Sequence, residues 1–365
     1  MTEIVLENIT KSFRGKTVLE NISLKIRSED ITVFLGPAGA GKTTLFRIIA
    51  GTEKPDKGKV YFDSQDVTLM PPQKRNVSMV FQSFALYPNM TVFENIASPM
   101  RVKNMPEQEI RKQVEEVAEF LGIKQILQKK PHEISGGEAQ RTAIARALVK
   151  KPKVFLFDEP LTNLDYKVRE ILRAELQRIF HEVKATVLYS TSNPEEAAAL
   201  GKTLVHLRGG KIVQTGAVKE CFRHPVDLTA ASSYSPIGVN ILPAKCEKGP
   251  AGKFLRVGTD ISLDVSSYDA LKDGEEYLLA AYPHDVKLFA LNSPKSLSIP
   301  IEIDFIENMG SEIVVVARSG QQVINIILSE VEKLHEIKNK KRCTVDLTDL
   351  MIFSKEGLYI QNLRG

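Results

Sequence analysis

The chain has 365 residues, of which 43% are hydrophobic and 26% charged, the balance of an ordinary globular protein of about two domains. Lys and Arg number 49 against 45 Asp and Glu, a net charge of +4 that is too mild to argue for nucleic acid. No apolar run approaches the roughly 18 residues needed to span a bilayer, and Thr2-Glu3-Ile4 lacks the basic-then-apolar pattern of a signal peptide. Cys221, Cys246 and Cys343 are widely separated and odd in number. They fit neither a zinc site nor a disulfide framework, so a reducing cytoplasm is expected.

Along the first 230 or so residues, strand-like and helix-like segments alternate, as in an α/β domain. Ile31–Leu35 is a short apolar run that ends in glycine, and a helix is expected over Lys42–Ala50 with Gly51 as its C-cap. Val60–Phe62 reads as an antiparallel addition, and Val77–Phe81 as a buried strand. Between them and the next strand lies a helical insertion, in which Pro106 sits at a helix start. Ile110, Val114, Val117, Ala118 and Leu121 share one face there, Gly122 stops the helix, and the charged face opposite reads as solvated. Val154–Phe157 and Thr186–Tyr189 are further buried strands, and Val205–Leu207 pairs with Lys211–Val213 across Gly209-Gly210. Ser232, Ser233, Ser235, Pro236, Gly238 and Pro243 then punctuate the chain. Beyond them short alternating strands predominate, such as Ile261/Leu263/Val265, Ile299/Ile301/Ile303/Phe305, Val314–Val316 and Val323–Leu328. That pattern predicts a small β-barrel or sandwich.

Gly36-Pro37-Ala38-Gly39-Ala40-Gly41-Lys42-Thr43-Thr44 satisfies G-x-x-x-x-G-K-[ST], follows an apolar strand and opens a helix, which is the context of a phosphate-binding loop. Gly36, Gly39 and Gly41 let backbone N–H groups curl round phosphates without a Cβ in the way, and Ala40 and Thr44 belong to the same cradle. The helix N-terminus adds partial positive charge. Lys42 would reach the β- and γ-phosphates, and the Thr43 hydroxyl would ligate Mg²⁺. In Val154–Pro160 a buried strand delivers Asp158 and Glu159 at its carboxyl end, where open α/β sheets bind ligands. Asp158 would hold Mg²⁺ through water, and Glu159 would orient or polarise the attacking water.

Ile134-Ser135-Gly136-Gly137-Glu138-Ala139-Gln140-Arg141 resembles the ABC ATPase signature L-S-G-G-Q. Gln82, in Val80-Phe81-Gln82, looks like the Q-loop, and Leu161-Thr162-Asn163-Leu164-Asp165 looks like the D-loop. Phe13 occupies the place of the aromatic that stacks on adenine. The chain is thereby similar to the ATP-binding subunits of ABC importers, in particular the maltose-importer (carbohydrate) ATPase family. The resemblance extends more loosely through Tyr282-Pro283-His284-Asp285 and Asn308-Met309-Gly310-Ser311-Glu312.

This resemblance implies an α/β P-loop ABC ATPase domain over residues 1–234, with a helical subdomain at about 84–150. A β-rich OB-like regulatory domain follows over 235–365. It implies ATP and Mg²⁺ as cofactors, with the metal reached by Thr43, Gln82 and Asp158, and Glu159, Gln82 and Ser192 at the catalytic centre. Ser135, Gly136, Gly137 and Glu138 would cap the ATP of a second ATPase chain beside Asp165. The implied partners are two transmembrane permease subunits, that second ATPase subunit and, indirectly, an extracytoplasmic solute-binding protein, with no nucleic acid. The implied location is the cytoplasmic face of the cell membrane. Carbohydrate, polyol or glycerol-phosphate-like solutes head the substrate classes; polyamine and ferric-ion importer ATPases share the architecture.

Two positions depart from the family pattern. The switch region reads Thr191-Ser192-Asn193 where the family has T-H-D, and none of His132, His181, His206, His224, His284 and His335 falls there. Serine is shorter than histidine and cannot become cationic near neutral pH. Loss of a positioned γ-phosphate contact commonly lowers turnover on the order of a hundredfold. Glu138 replaces the signature glutamine and brings a carboxylate to a phosphate-binding surface. Nucleotide binding is therefore expected to survive better than hydrolysis, with this chain as the weaker half of an asymmetric ATPase pair. The alternatives are an active homodimer that tolerates Ser192 and a largely non-hydrolytic regulatory subunit.

Overall fold

The computed structural model describes residues 2–162, 164–250, 252–258, 261–289, 298–308, 312–320, 322–328, 342–347 and 349–364. Asn163 of the D-loop, Met309-Gly310-Ser311, His335 and the side chains of Ile299 and Cys343 lie outside the described residues. The chain forms two units, Met1–Lys219 and Glu220–Gly365.

In chain order the first unit comprises β1 (Ile4–Phe13), β2 (Lys16–Ile26), β3 (Ile31–Leu35), α1 (Lys42–Ala50), β4 (Lys57–Phe62), β5 (Gln65–Asp66), β6 (Val77–Val80), α2 (Val92–Arg101), α3 (Glu107–Phe120), α4 (Gly136–Leu148), β7 (Val154–Asp158), α5 (Tyr166–Glu182), β8 (Thr186–Thr191), α6 (Pro194–Leu200), β9 (Thr203–Arg208) and β10 (Lys211–Ala217). The β1–β2 hairpin turns over Arg14 and Gly15, whose φ angles of 49° and 81° match the twist of the flanking strands. With β4 and β5 it forms an antiparallel sheet in the order β2-β1-β4-β5.

The second sheet runs β10-β9-β3-β8-β7-β6, parallel from β9 to β6 with β10 antiparallel at the edge. Strands β3, β7 and β8 are buried along their whole length, which explains why they lack the alternation of a half-exposed strand. Since β3, β8 and β7 are parallel neighbours, their carboxyl ends meet at one edge. Helices α2, α3 and α4 pack on one another as the expected insertion. Pro106, expected as the first helical residue, is instead the N-cap of α3. Thr91 caps α2 reciprocally with Glu94, the Thr91 hydroxyl accepting from the Glu94 N–H and the Glu94 carboxylate from the Thr91 N–H.

Helix α7 (Val218–Arg223) leads into the second unit, followed by α8 (Leu228–Ser233). Its strands are β11 (Asn240–Gly249), β12 (Gly252–Val257), β13 (Ile261–Asp264), β14 (Glu276–Ala281), β15 (Val286–Phe289), β16 (Ser298–Asn308), β17 (Ile313–Ser319), β18 (Gln322–Leu328), β19 (Arg342–Leu347), β20 (Asp349–Ser354) and β21 (Tyr359–Arg364). They form two antiparallel sheets, β13-β12-β11-β14-β20-β21 and β15-β19-β16-β17-β18. Leu242, Leu255, Leu279 and Ile352 of the first sheet and Ile301, Val315, Ile324 and Ile326 of the second share one core. This is the β-rich appendage that the alternating pattern foretells.

The division at 219/220 lies N-terminal to the compositional break expected at 234/235. The reason is local: residues 220–234 bond to the β-rich unit. Tyr282 donates to the Phe222 carbonyl at 2.8 Å, the Leu228 N–H to the Gly357 carbonyl at 2.8 Å and Asn362 to the Arg223 carbonyl at 3.2 Å.

Candidate functional site

The phosphate-binding loop leaves the end of β3 and closes on α1. A Cβ on Gly36 would stand 2.3 Å from the Leu207 carbonyl oxygen, so the close approach to β9 excludes any side chain there. Gly41 caps α1 with φ of 103°, and a Cβ would meet Leu19 Cδ2 at 2.6 Å. The Lys42 ammonium is buried and donates to the Gly36 carbonyl at 2.6 Å and the Pro37 carbonyl at 3.1 Å. It also pairs with Glu159 at 2.9 Å.

Asp158 ends β7, 4% exposed, and its Oδ1 accepts from two hydroxyls, Thr43 at 3.0 Å and Ser190 at 2.9 Å. Burial pushes the Asp158 carboxyl above its ordinary value, and the two hydroxyls oppose that rise by favouring the anion. Glu159 takes φ of 46°, a left-handed turn out of the strand, and its N–H donates to both the Ser190 hydroxyl at 3.0 Å and the Ser190 carbonyl at 3.2 Å. Thr43 and Asp158 offer only oxygen, the ligand chemistry of Mg²⁺. Among the described residues no group of three or more His, Cys, Asp or Glu is gathered to hold a metal, so such an ion would complete its shell with phosphate oxygens and water.

The structure thus brings Gly36–Thr44, Asp158 and Glu159 together at one sheet edge. Ser192 is exposed just beyond β8, next to Thr191, whose carbonyl accepts the Gly36 N–H at 3.3 Å. Thr191 and Tyr189 instead turn their hydroxyls to Glu196 of α6, at 2.7 and 2.9 Å, and burial raises the Glu196 carboxyl above its ordinary value. Phe13, 43% exposed at the end of β1, lies under the Lys11 ammonium, 5.1 Å from its ring centre.

Gln82 is exposed in the turn after β6. The loop it opens is clamped from two helices. Arg146 of α4 donates to the Phe84 and Ala85 carbonyls at 2.9 and 2.8 Å. The fully buried Asn95 of α2 accepts from the Tyr87 N–H and donates to the Tyr87, Met90 and Thr91 carbonyls. Beside this loop a groove of about 350 Å³ is lined by Val77, Met79, Tyr87, Pro99, Val102 and Arg146.

The signature residues form a separate locus at the start of α4. Ser135 is its N-cap, and Glu138 closes a capping box with its N–H donating to the Ser135 hydroxyl. The Glu138 carboxylate accepts from both the Ser135 N–H at 2.8 Å and the Ser135 hydroxyl at 2.9 Å, and the first of these holds it below the usual carboxylate range. Gly136 and Gly137 face Leu164 and Val168, where a Cβ would stand 3.3 and 3.0 Å from their side chains. Asp165 caps α5 by accepting the Val168 N–H at 3.0 Å.

Sequence reasoning passed over Ser190, Asn95, Arg146 and the Ser135–Glu138 pairing. The last had a local signal, S-x-x-E at a helix start. Ser190 had a weaker one, a hydroxyl within a wholly buried strand.

Residues 19–162 match the ABC transporter family. The chain is 36% identical to an sn-glycerol-3-phosphate import ATP-binding protein of Pectobacterium atrosepticum, over 89% of this chain and 90% of that one. It is also 36% identical to a trehalose/maltose import ATP-binding protein of Thermococcus litoralis, over 88% and 89% respectively. Among solved structures it resembles a dimeric ATP-binding cassette in a post-hydrolysis state bound to ADP and Pi. That match has a TM-score of 0.54 and 30% identity, and covers 59% of this chain and 98% of that one.

Proposed function

This chain belongs to the ABC transporter ATPase family, and from that premise we propose that it is the ATP-binding subunit of an importer of carbohydrate, polyol or glycerol-phosphate-like solutes. One observation carries the reading: Lys42 and Thr43 from one segment, and Asp158 and Glu159 from another, meet at the carboxyl edge of a parallel sheet, where a bound nucleotide's phosphates would lie. Lys42 and the loop amides would neutralise the phosphates, Thr43 and Asp158 would hold Mg²⁺, and Glu159 would accept a proton from the attacking water. Bound Mg²⁺ would spread the charge that develops on the β- and γ-phosphates.

No helix among the described residues is long and apolar enough to cross a membrane, so transport requires partners. We assign that role to two permease subunits, with a solute-binding protein acting through them. Exposed Tyr87, Met90 and Val102 around the clamped Gln82 loop support docking of a membrane subunit there, at the cytoplasmic face. The ATP of a second ATPase chain would be capped by Ser135 and Gly137. Exposed Ser192 in place of a histidine supports an asymmetric pair in which this chain's own site is the weaker.

The test is co-expression with candidate permeases, purification of the assembly and ATP-driven uptake into proteoliposomes. ATP-dependent accumulation of a sugar or glycerol phosphate is expected. Stable assembly that accumulates only a polyamine or ferric ion would overturn the substrate class. Failure to associate with any permease, with the chain recovered in a soluble complex, would overturn the transport reading.

A further inference from the structure

Strand β8 lies between β3, which ends in the phosphate-binding loop, and β7, which ends in Asp158. In register, Ser190 is flanked by Phe34 on one side and Asp158 on the other. Side chains alternate along a strand, so Tyr189 and Thr191 share one face and bond Glu196, while Ser190 takes the other. Its hydroxyl is fully buried. It donates to Asp158 Oδ1 at 2.9 Å and accepts the Glu159 N–H at 3.0 Å. One hydroxyl therefore satisfies its donor on one acidic residue and an acceptor site on the next.

We infer that Ser190 is a positioning residue of the Mg²⁺-nucleotide site, fixing the Asp158 carboxylate for the metal and the backbone turn that aims Glu159. The inference rests on the ATPase reading above and adds to it a residue outside the nucleotide motifs. Thr43 alone would hold Asp158 Oδ1 through one contact, leaving the carboxylate free to swing about its side-chain bond. The second hydroxyl, delivered from a different strand, removes that freedom and leaves Oδ2 as the oxygen that neither hydroxyl engages. A buried charge-assisted bond of this kind is among the stronger polar contacts, and its acceptor is costly to orphan. The bond to the Glu159 N–H reinforces the strand-edge bond from the Ser190 carbonyl and steadies a residue whose φ is positive.

The discriminating measurement compares ATP binding with Mg²⁺ and with EDTA, by calorimetry on the full chain, which has no tryptophan to report binding optically. In Ser190→Ala, ATP affinity in EDTA should stay within about twofold of the wild type, while the gain in affinity conferred by Mg²⁺ should shrink about tenfold, the scale of one charge-assisted hydrogen bond. Ser190→Cys keeps the volume with a weaker donor and should fall between. Equal losses with and without Mg²⁺ in both variants would make Ser190 a merely structural residue, and no loss in either would remove any role; both overturn the inference while leaving the ATPase reading intact. Wild-type binding that is indifferent to Mg²⁺ would overturn the metal assignment and the Ser190 inference with it.

Discussion

The Lys42 ammonium lies 2.9 Å from the Glu159 carboxylate, with the two side chains only 3% and 16% exposed. The cation that would meet the phosphates and the anion that would activate water are therefore paired with each other. Incoming phosphates would compete with Glu159 for Lys42, so nucleotide entry would free the carboxylate at the moment it is needed.

Glu159→Gln should separate binding from hydrolysis. Without the carboxylate, turnover should fall about a hundredfold or more, while ATP affinity rises severalfold because the phosphates no longer displace an ion pair. Turnover assays and calorimetry on one preparation check both signs. Weakened ATP binding would contradict the competition between Glu159 and phosphate.

Glu138→Gln keeps an acceptor for the Ser135 N–H, so folding stability should change by about 0.5 kcal/mol or less. It removes a negative charge from the signature locus. ATP-dependent association of ATPase chains, followed by sedimentation, should strengthen severalfold at low salt, and the gain should fade at high salt. A salt-independent effect would point away from charge.

Ser192→His tests the asymmetric pair directly. If a missing histidine weakens this chain's site, Mg-ATP turnover by the isolated chain should rise at least about tenfold. Robust wild-type turnover, unchanged in the variant, would remove the asymmetric reading and favour an active homodimer.

Burial raises the Glu196 carboxyl above its ordinary value of 4.5, with Tyr189 and Thr191 donating to it. A raised carboxyl binds its proton more tightly in the folded state, so this group favours folding at low pH. Its contribution declines as pH climbs from the ordinary value through the folded one. Glu196→Gln keeps an acceptor but not the titration, so its stability relative to the wild type should increase with pH across that window. Denaturant unfolding at several pH values gives the slope, and a flat difference would refute it.

Asn95 is fully buried and holds the Gln82 loop through Tyr87, Met90 and Thr91. Asn95→Ala orphans these groups and should lower stability by about 2–3 kcal/mol. ATP binding should remain, and proteolysis should begin within residues 82–91. Cleavage elsewhere would mean that the loop is held by other means.

The candidate nucleotide site was legible because its chemistry is contiguous. A phosphate-wrapping loop such as Gly36–Thr44 would use neighbouring amides, and Asp158-Glu159 end a buried strand, so both patterns survive in one dimension. The strand–helix alternation and the β-rich second unit were legible for the same reason: periodicity of burial is a property of neighbours in sequence. The Ser135–Glu138 capping box was equally local, and its signal went unread because the signature motif claimed those residues.

Only the tertiary structure decided which side chain Lys42 holds, that Ser190 joins Asp158 to the Glu159 backbone, and that residues 220–234 bond to the β-rich unit despite the Ser- and Pro-rich break after them. Each joins residues brought together by strand order or by the packing of separate segments. Asp158 and Ser190 are neighbours because β7 lies beside β8, not because of anything in the residues around either one. Sequence by itself determined that this protein handles a nucleotide's phosphates; strand order determined which hydroxyls and charges stand ready when they arrive.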